Sequence, residues 1–407
     1  MVKRLSQSSA PKESRWIWQR PEWPYFEWDD GKLANVLARA RLRQGGLLGA
    51  ARLLDARLSR EAQAQILIQD GINTSAIEGE QINVDAIRSS VARHLGLPTA
   101  GLRAAPRAVD GLVEVLLDAT TRYTKPLTRK RLFGWQAALF PTGRSGLHKI
   151  KAGALRGSDT MRVVSGPIGR QMVHFEAPPR KGLEAQLGHF LDWFNAPPAQ
   201  LDGLVRAGLA HLWFVTLHPF EDGNGRVARA ITDMALCQDE QQPQRLFSLS
   251  AQIMRNRDAY YAILERTQRD GLDVTPWSTW HLEQVSLACE LAGGTIAHVL
   301  AKARFWLRHQ GTPINDRQCK VINILLDAGP GGFAGGMNTR KYVSLTRTSR
   351  VTAYRELADL VEKRCLIPSG GGRSVSYEIR WSLSRDDAAA AAKKLIRRNS
   401  ALFKRQA

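Results

Sequence analysis

Apolar residues recur every three to four positions over long stretches of this chain, the spacing that buries one stripe of an α-helix. The pattern predicts helices over 33–58, 61–77, 108–123, 128–138, 182–194, 203–217, 226–237 and 257–267. Ile66, Ile68, Ile72 and Ile77 carry the second of these, which stops at Glu78-Gly79, glycine being a common helix terminator. Between 161 and 175 the character changes. Met161-Arg162-Val163-Val164 and Gln171-Met172-Val173-His174-Phe175 flank Ser165-Gly166-Pro167-Ile168-Gly169-Arg170, which reads as a β-hairpin around a Gly/Pro turn. Residues 16–28 crowd four tryptophans into a segment where Pro21 and Pro24 exclude a regular helix. Such an extended aromatic stretch is expected to pack over a helical core.

Beyond Gly311 three helices are expected, over 316–328, 338–342 and 349–363, followed by two short strands around Gly370-Gly371-Gly372. That order is the layout of a winged helix-turn-helix. From Asp386 an alanine-rich helix with Lys393, Lys394, Arg397, Arg398, Lys404 and Arg405 closes the chain. The expected fold is therefore mainly α, with a short β-hairpin and a C-terminal winged helix domain.

Composition narrows this picture little until charge is counted. The 407 residues exceed what one compact core holds, and 43% hydrophobic with 24% charged residues is ordinary for a globular protein. The formal charge of +20 is not ordinary; it attracts polyanions, whether nucleotides, nucleic acid, acidic proteins or anionic surfaces. Cys237, Cys289, Cys319 and Cys365 match no CxxC spacing and read as small apolar residues. So few cysteines fit a reducing compartment. No apolar stretch follows Lys3 and Arg4 as in a signal peptide, and no run reaches the roughly 18 apolar residues of a membrane span. A cytoplasmic protein with no membrane partner is expected.

The chemistry concentrates in His218-Pro219-Phe220-Glu221-Asp222-Gly223-Asn224-Gly225-Arg226. Pro219 ends the preceding helix near His218, and the next helix begins around Gly225-Arg226. Glycines between two helices expose amide N–H groups and admit close approach, and a helix N-terminus just downstream adds positive potential, which makes an anion site. Arg226 and Arg229 lie three apart on one helical face and can grip further phosphates. Asp222 offers a hard oxygen suited to Mg²⁺ between phosphates. His218 can take a proton from a hydroxyl near neutral pH.

This run resembles the Fic family signature, HPFx(D/E)GNGRxxR, at every specified position from His218 to Arg229. The resemblance implies a protein adenylyltransferase that moves AMP from ATP onto a Ser, Thr or Tyr hydroxyl of a target protein or of itself. It makes His218 the general base and Asp222 the ligand of Mg²⁺ or Mn²⁺. Gly223, Asn224 and Gly225 become the anion hole, and Arg226 and Arg229 bind the β- and γ-phosphates. The 163–175 hairpin, with Val173, sits where such proteins carry the flap that aligns a target segment. Tyr260, Tyr261 and Gln268 match positions beside the adenine. Thr74-Ser75-Ala76-Ile77-Glu78-Gly79 matches the family's inhibitory pattern, (S/T)xxxE(G/N). The implied brake is Glu78 pairing with Arg229, with Thr74 and Gly79 completing the motif. The resemblance covers most of 15–381. It divides the chain into a disordered start (1–14), a Trp-rich helical region with the inhibitory helix (15–95), a Fic core (96–300), the winged helix (301–381) and a basic tail (382–407). Removal of AMP from targets by the Glu78-containing form stays open, as does a homodimer.

A rival class is a DNA-binding regulator. Region 313–381 has eleven Lys/Arg against six Asp/Glu, and 382–407 has seven against two. Residues 349–355 would begin a recognition helix, with Arg373 on the wing.

Overall fold

The computed structural model describes residues 15–97, 103–166, 170, 172–329, 333, 335–370 and 375–381. Arg373, most of the hairpin turn, the start before residue 15 and the expected tail helix lie outside the described residues. Chain contacts divide the molecule into two compact units, 1–296 and 297–407.

The first unit is helical. A 3₁₀ turn, Ile17–Gln19, is followed by α1 (Asp30–Ala51), α2 (Ala56–Ile77), α3 (Val84–His94), α4 (Arg107–Thr121) and α5 (Arg129–Leu139). Two small antiparallel pairs come next, β1 (Arg144–Ser145) with β2 (His148–Lys149) and β3 (Arg162–Ser165) with β4 (Met172–Glu176). Then follow α6 (Leu183–Asn195), α7 (Gly203–Leu217), α8 (Asn224–Glu240), α9 (Leu249–Arg255), α10 (Arg257–Arg269) and α11 (Thr275–Arg308), whose residues from 297 on belong to the second unit.

Helices α7 and α8 form the centre. Every residue of α7 from Leu204 to Leu217 is buried, as an all-round apolar helix requires, and Val227, Ile231 and Met234 of α8 are fully buried with it. The turn that joins these two helices is thus anchored at both ends in the buried centre of the unit.

The boundary between the first two helices differs from the sequence expectation, the helix expected over 338–342 runs on to Thr346, and the one expected over 226–237 spans Asn224–Glu240. The first helix stops at Ala51, and Asp55 starts the second by accepting hydrogen bonds from Arg57 N (2.9 Å) and Leu58 N (2.8 Å). Capping by a carboxylate fixes a helix start that the Ala, Leu and Arg richness of the surrounding sequence hides. The tryptophan-rich segment has two seats. Trp16 meets Phe175 edge-on at 5.4 Å and Trp18 Nε1 donates to Glu176 O at 2.7 Å, so the chain start buttresses β4. Trp23 and Phe26 pack edge-on against Trp213 of α7.

In the second unit α12 (Asp316–Ala328), α13 (Thr339–Thr346) and α14 (Arg350–Glu362) precede a hairpin of β5 (Leu366–Ser369) and β6 (Ser376–Ile379). Phe305, Ile322, Leu326, Leu357 and Leu360 make its core. Glu356 ties the helices together, accepting from Tyr342 Oη at 2.7 Å and Asn315 Nδ2 at 3.0 Å. Among the described residues no helix is long and apolar enough to cross a membrane.

Candidate active site at the α7–α8 turn

Helix α7 ends on His218, whose backbone is left-handed (φ 47°, ψ 57°). A non-glycine residue keeps that conformation only where its surroundings hold it. Here His218 N donates to Phe214 O at 3.1 Å. The buried Arg156 donates through Nε to His218 O at 2.8 Å and through its backbone N to Pro219 O at 2.9 Å. The imidazole Nδ1 lies 3.2 Å from Val215 O. A carbonyl only accepts, so Nδ1 carries the proton and Nε2 keeps its lone pair. Burial lowers the pKa of His218; the Val215 bond opposes this and the Arg156 charge adds to it. The ring is therefore neutral near pH 7, as a proton acceptor must be.

The turn is closed on itself. Asn224 Oδ1 accepts from Phe220 N and its Nδ2 donates to Phe220 O, both at 2.9 Å. Gly223 has φ +85°, and a Cβ there would lie 2.9 Å from the Phe140 ring. Only glycine fits. Asp222 accepts from Ser145 Oγ and Gly223 N, and its carbonyl accepts from Gln136 Nε2 at 3.3 Å. Glu221 accepts from Lys151 N at 2.9 Å.

The two arginines of α8 meet the end of α2. Arg229, 3% exposed, donates through Nε to Thr74 Oγ1 (2.7 Å) and through Nη2 to Thr74 O (2.9 Å) and Glu78 Oε1 (2.6 Å). Burial works against its charge, yet Glu78 keeps its pKa raised. Arg226 stacks on Phe140 with 4.9 Å to the ring centroid and pairs with Glu80 at 2.8 Å. Arg229 Nη1 and Arg226 Nε are buried without a partner. Glu78 Oε1 sits so tightly against Gly225 that a Cβ on that glycine would be 2.2 Å from it. A carboxylate thus lies at the N-terminus of α8. From the other side Arg257 Nε (2.9 Å) and Tyr261 Oη (3.0 Å) donate to Ile77 O, with Gly79 (φ +82°) ending the turn.

A cavity of about 600 Å³ opens between the β3–β4 hairpin, α10 and the turn, and Glu78, His218, Gly225, Tyr260, Tyr261 and Gln268 line it. Tyr260 is 2% exposed. Its hydroxyl donates to His211 Nε2 (2.8 Å), whose Nδ1–H reaches Thr232 Oγ1 (3.0 Å). Burial, with Arg229 nearby, pushes the His211 pKa well down, so it is a neutral link. Gln268 Nε2 donates to Thr216 Oγ1 at 3.2 Å. Tyr261 is engaged with the end of α2. Val173 stands apart from the cavity lining; it packs against the cluster of Trp16, Phe175 and Ala177, and its carbonyl accepts from Arg269 at 3.0 Å.

The structure adds residues the sequence did not single out. Arg156, Glu80, Arg257 and Ser145 each touch the site, but isolated charges and a lone serine in a chain of 58 Lys and Arg carry no spacing signal.

Fold and turn together define a helical protein with an anion seat at a buried helix N-terminus and a neutral histidine beside it. Residues 126–236 match the Fic/DOC family, so the chain carries a Fic/DOC family domain. Residues 16–97 match a domain of unknown function, DUF4172. The chain is 29% identical over 195 residues to "Protein adenylyltransferase Fic" of Culex quinquefasciatus, covering 46% of this chain and 35% of that protein. It is 27% identical over 183 residues to the Aedes aegypti protein of the same name, covering 44% and 33%. The chain thus spans about a third of the length of these relatives. In fold it is similar to a Fic family protein from Desulfovibrio desulfuricans G20, with a TM-score of 0.50, 19% identity and coverage of 89% of this chain and 99% of that one.

Proposed function

We propose that this protein is an adenylyltransferase that moves AMP from ATP to a Ser, Thr or Tyr hydroxyl of a target protein, and that Glu78 holds it idle. The observation that carries the reading is the Glu78 carboxylate lodged against Gly225 and clasped by Arg229. A site that accepts one anion between an arginine and a helix N-terminus has the donor set for a phosphate, and the orphaned Arg229 Nη1 leaves a further donor for it.

With Glu78 displaced, Asn224 and Gly225 present backbone N–H groups to the triphosphate beside Gly223, whose own N–H is taken by Asp222, and Arg226 and Arg229 hold its outer phosphates. Tyr260, Tyr261 and Gln268 form the wall where the base rests. His218 Nε2 removes the proton of the attacking hydroxyl. The exposed β3 strand offers an unpaired edge on which a target segment can add as a strand, which orients its hydroxyl. Asp222 is the fitting ligand for a divalent cation, its carboxylate facing only a hydroxyl and an amide; Mg²⁺ or Mn²⁺ bound there would neutralise phosphate charge. Glycine at 225 leaves room for a nucleotide rather than only a transferable phosphate.

The test uses labelled ATP and intact-mass measurement. Glu78→Gly is expected to incorporate AMP about 10²-fold faster than the wild type, the scale of a misplacement near 1 Å. His218→Ala in that background should lose at least about 10²-fold of that rate. Equal rates for the wild type and Glu78→Gly would remove the brake from the reading, and an added phosphate in place of AMP would redirect it.

A second reading concerns the second unit. On α14, Arg350, Val351, Tyr354 and Arg355 are exposed after a tight turn, the placement of a recognition helix. Retention on duplex DNA that falls steeply with salt would support it; salt-insensitive retention or none would favour a protein-docking winged helix.

A further inference from the structure

Three cavity-lining groups play no part in the chemistry above. Ser165 Oγ on β3 lies 2.6 Å from His174 Nε2 on β4, and His174 Nδ1 lies 2.7 Å from Glu265 Oε2 on α10. All three face the same cavity as His218. A hydroxyl on an imidazole, with that imidazole oriented by a carboxylate, is the arrangement that activates a serine oxygen. Glu265 can only accept while ionised, so His174 Nδ1 carries a proton toward it and Nε2 is the acceptor for the serine O–H. Arg269 fixes the carboxylate at 2.8 Å and holds the hairpin backbone through Val173 O at 3.0 Å.

Fastening the hairpin to α10 does not account for the serine. His174 to Glu265, with Arg269 to Val173 O, already joins the two elements, and Ser165 adds no contact to α10. Its hydroxyl is exposed and ends the relay at the cavity surface.

We propose that Ser165 is itself an acceptor of the nucleotidyl group, with His174 as its base and Glu265 as the positioning carboxylate. The inference rests on the adenylyltransferase reading, which places ATP in this cavity. Ser165 Oγ attacks the α-phosphorus. The Oγ–P bond forms, the bond from the α-phosphorus to the α,β-bridging oxygen breaks, and pyrophosphate leaves. The serine proton moves to His174 Nε2, and Glu265 stabilises the imidazolium. A modified Ser165 would load the strand that receives targets, so self-modification would slow transfer to other proteins.

The experiment incubates the full-length Glu78→Gly protein with ATP and Mg²⁺ and maps adducts by tandem mass spectrometry. The expected result is AMP on the peptide containing Ser165, absent in Ser165→Ala and retained at that position in Ser165→Thr. His174→Gln should lower occupancy at Ser165 about 10²-fold, with Glu265→Gln between the two. Full occupancy in His174→Gln would overturn the relay. AMP on other residues or on an added protein, with the Ser165 peptide clean, would overturn this inference and leave the adenylyltransferase reading standing. No AMP on any protein in any sample would overturn both.

Discussion

The turn from His218 to Gly225 and the arginines just after it are neighbours in sequence, yet they are held in different ways. The turn is held by its own residues and by Gln136, Ser145, Lys151 and Arg156, none of them on α2. Asn224 closes it on Phe220 four residues away, and Gly223 takes a backbone conformation other residues would resist. Arg229 instead finds its partners in Thr74 and Glu78, more than 150 positions earlier. Because none of the turn's hydrogen-bond partners lies on α2, the proposed departure of Glu78 would leave the seat in shape while the guanidinium changes partners. Under the proposed function, the difference assigns pre-organisation and regulation to separate sets of hydrogen bonds around the turn.

The sharpest way to break this comparison is on the local side. Asn224→Ala leaves the buried N–H and C=O of Phe220 without partners, and buried unpaired groups cost about 1–3 kcal/mol each. Melting several degrees lower is expected, together with loss of transfer in the Glu78→Gly background. Unchanged melting and activity would mean that Asn224 does not hold the turn. On the distant side, Thr74→Ala removes one acceptor from Arg229 and leaves Glu78 in place. Transfer by the otherwise wild-type protein should rise to a level between wild type and Glu78→Gly. A rate equal to wild type would show that Thr74 packs beside the brake without holding it.

How much of this was legible in the sequence follows the same division. The turn, its histidine and both arginines stand within twelve consecutive residues, so their spacing and chemistry could be read directly. The helices of the core were readable because α7 and α8 bury apolar residues around most of their surface. Glu78 and Thr74 came only through resemblance to a family pattern, since a helix-end carboxylate has many ordinary uses. Arg156 and the Ser165, His174 and Glu265 relay were invisible for a physical reason. Their partners are backbone carbonyls or residues up to 91 positions away, and such pairings leave no period along the chain. The break before Asp55 was missed because one capping carboxylate outweighed the helix propensity of its neighbours.

The smallest expected effect on transfer concerns how α2 is seated behind the brake. Asp70 of α2 is 1% exposed, and its carboxylate meets Ser248 Oγ at 2.5 Å. Burial first, and then the charge of Asp233 on α8, push its pKa up to about 8, while the Ser248 bond and Arg245 oppose this. Asp233, itself buried beside Arg245 at 3.3 Å, is raised to about 6. Arg245 also pairs with Glu240 at 3.0 Å, so one guanidinium serves several acids and Asp70 keeps its proton at neutral pH. An acid whose folded pKa is raised binds its proton more tightly when folded. Its stabilisation is complete below the unfolded value near 4 and is lost as pH climbs through about 8. Asp70→Asn mimics the protonated form, so it should melt almost as the wild type does only near about pH 4 and below, while near about pH 6, where folded Asp70 keeps its proton, the two should transfer AMP at the same low rate. Between about pH 4 and 8 the wild-type melting temperature should fall more steeply than that of the variant, and above about 8 the two should run in parallel. Parallel melting profiles already between about pH 4 and 8 would mean that Asp70 ionises without strain, and that the junction of α2 with α8 tolerates a second negative charge.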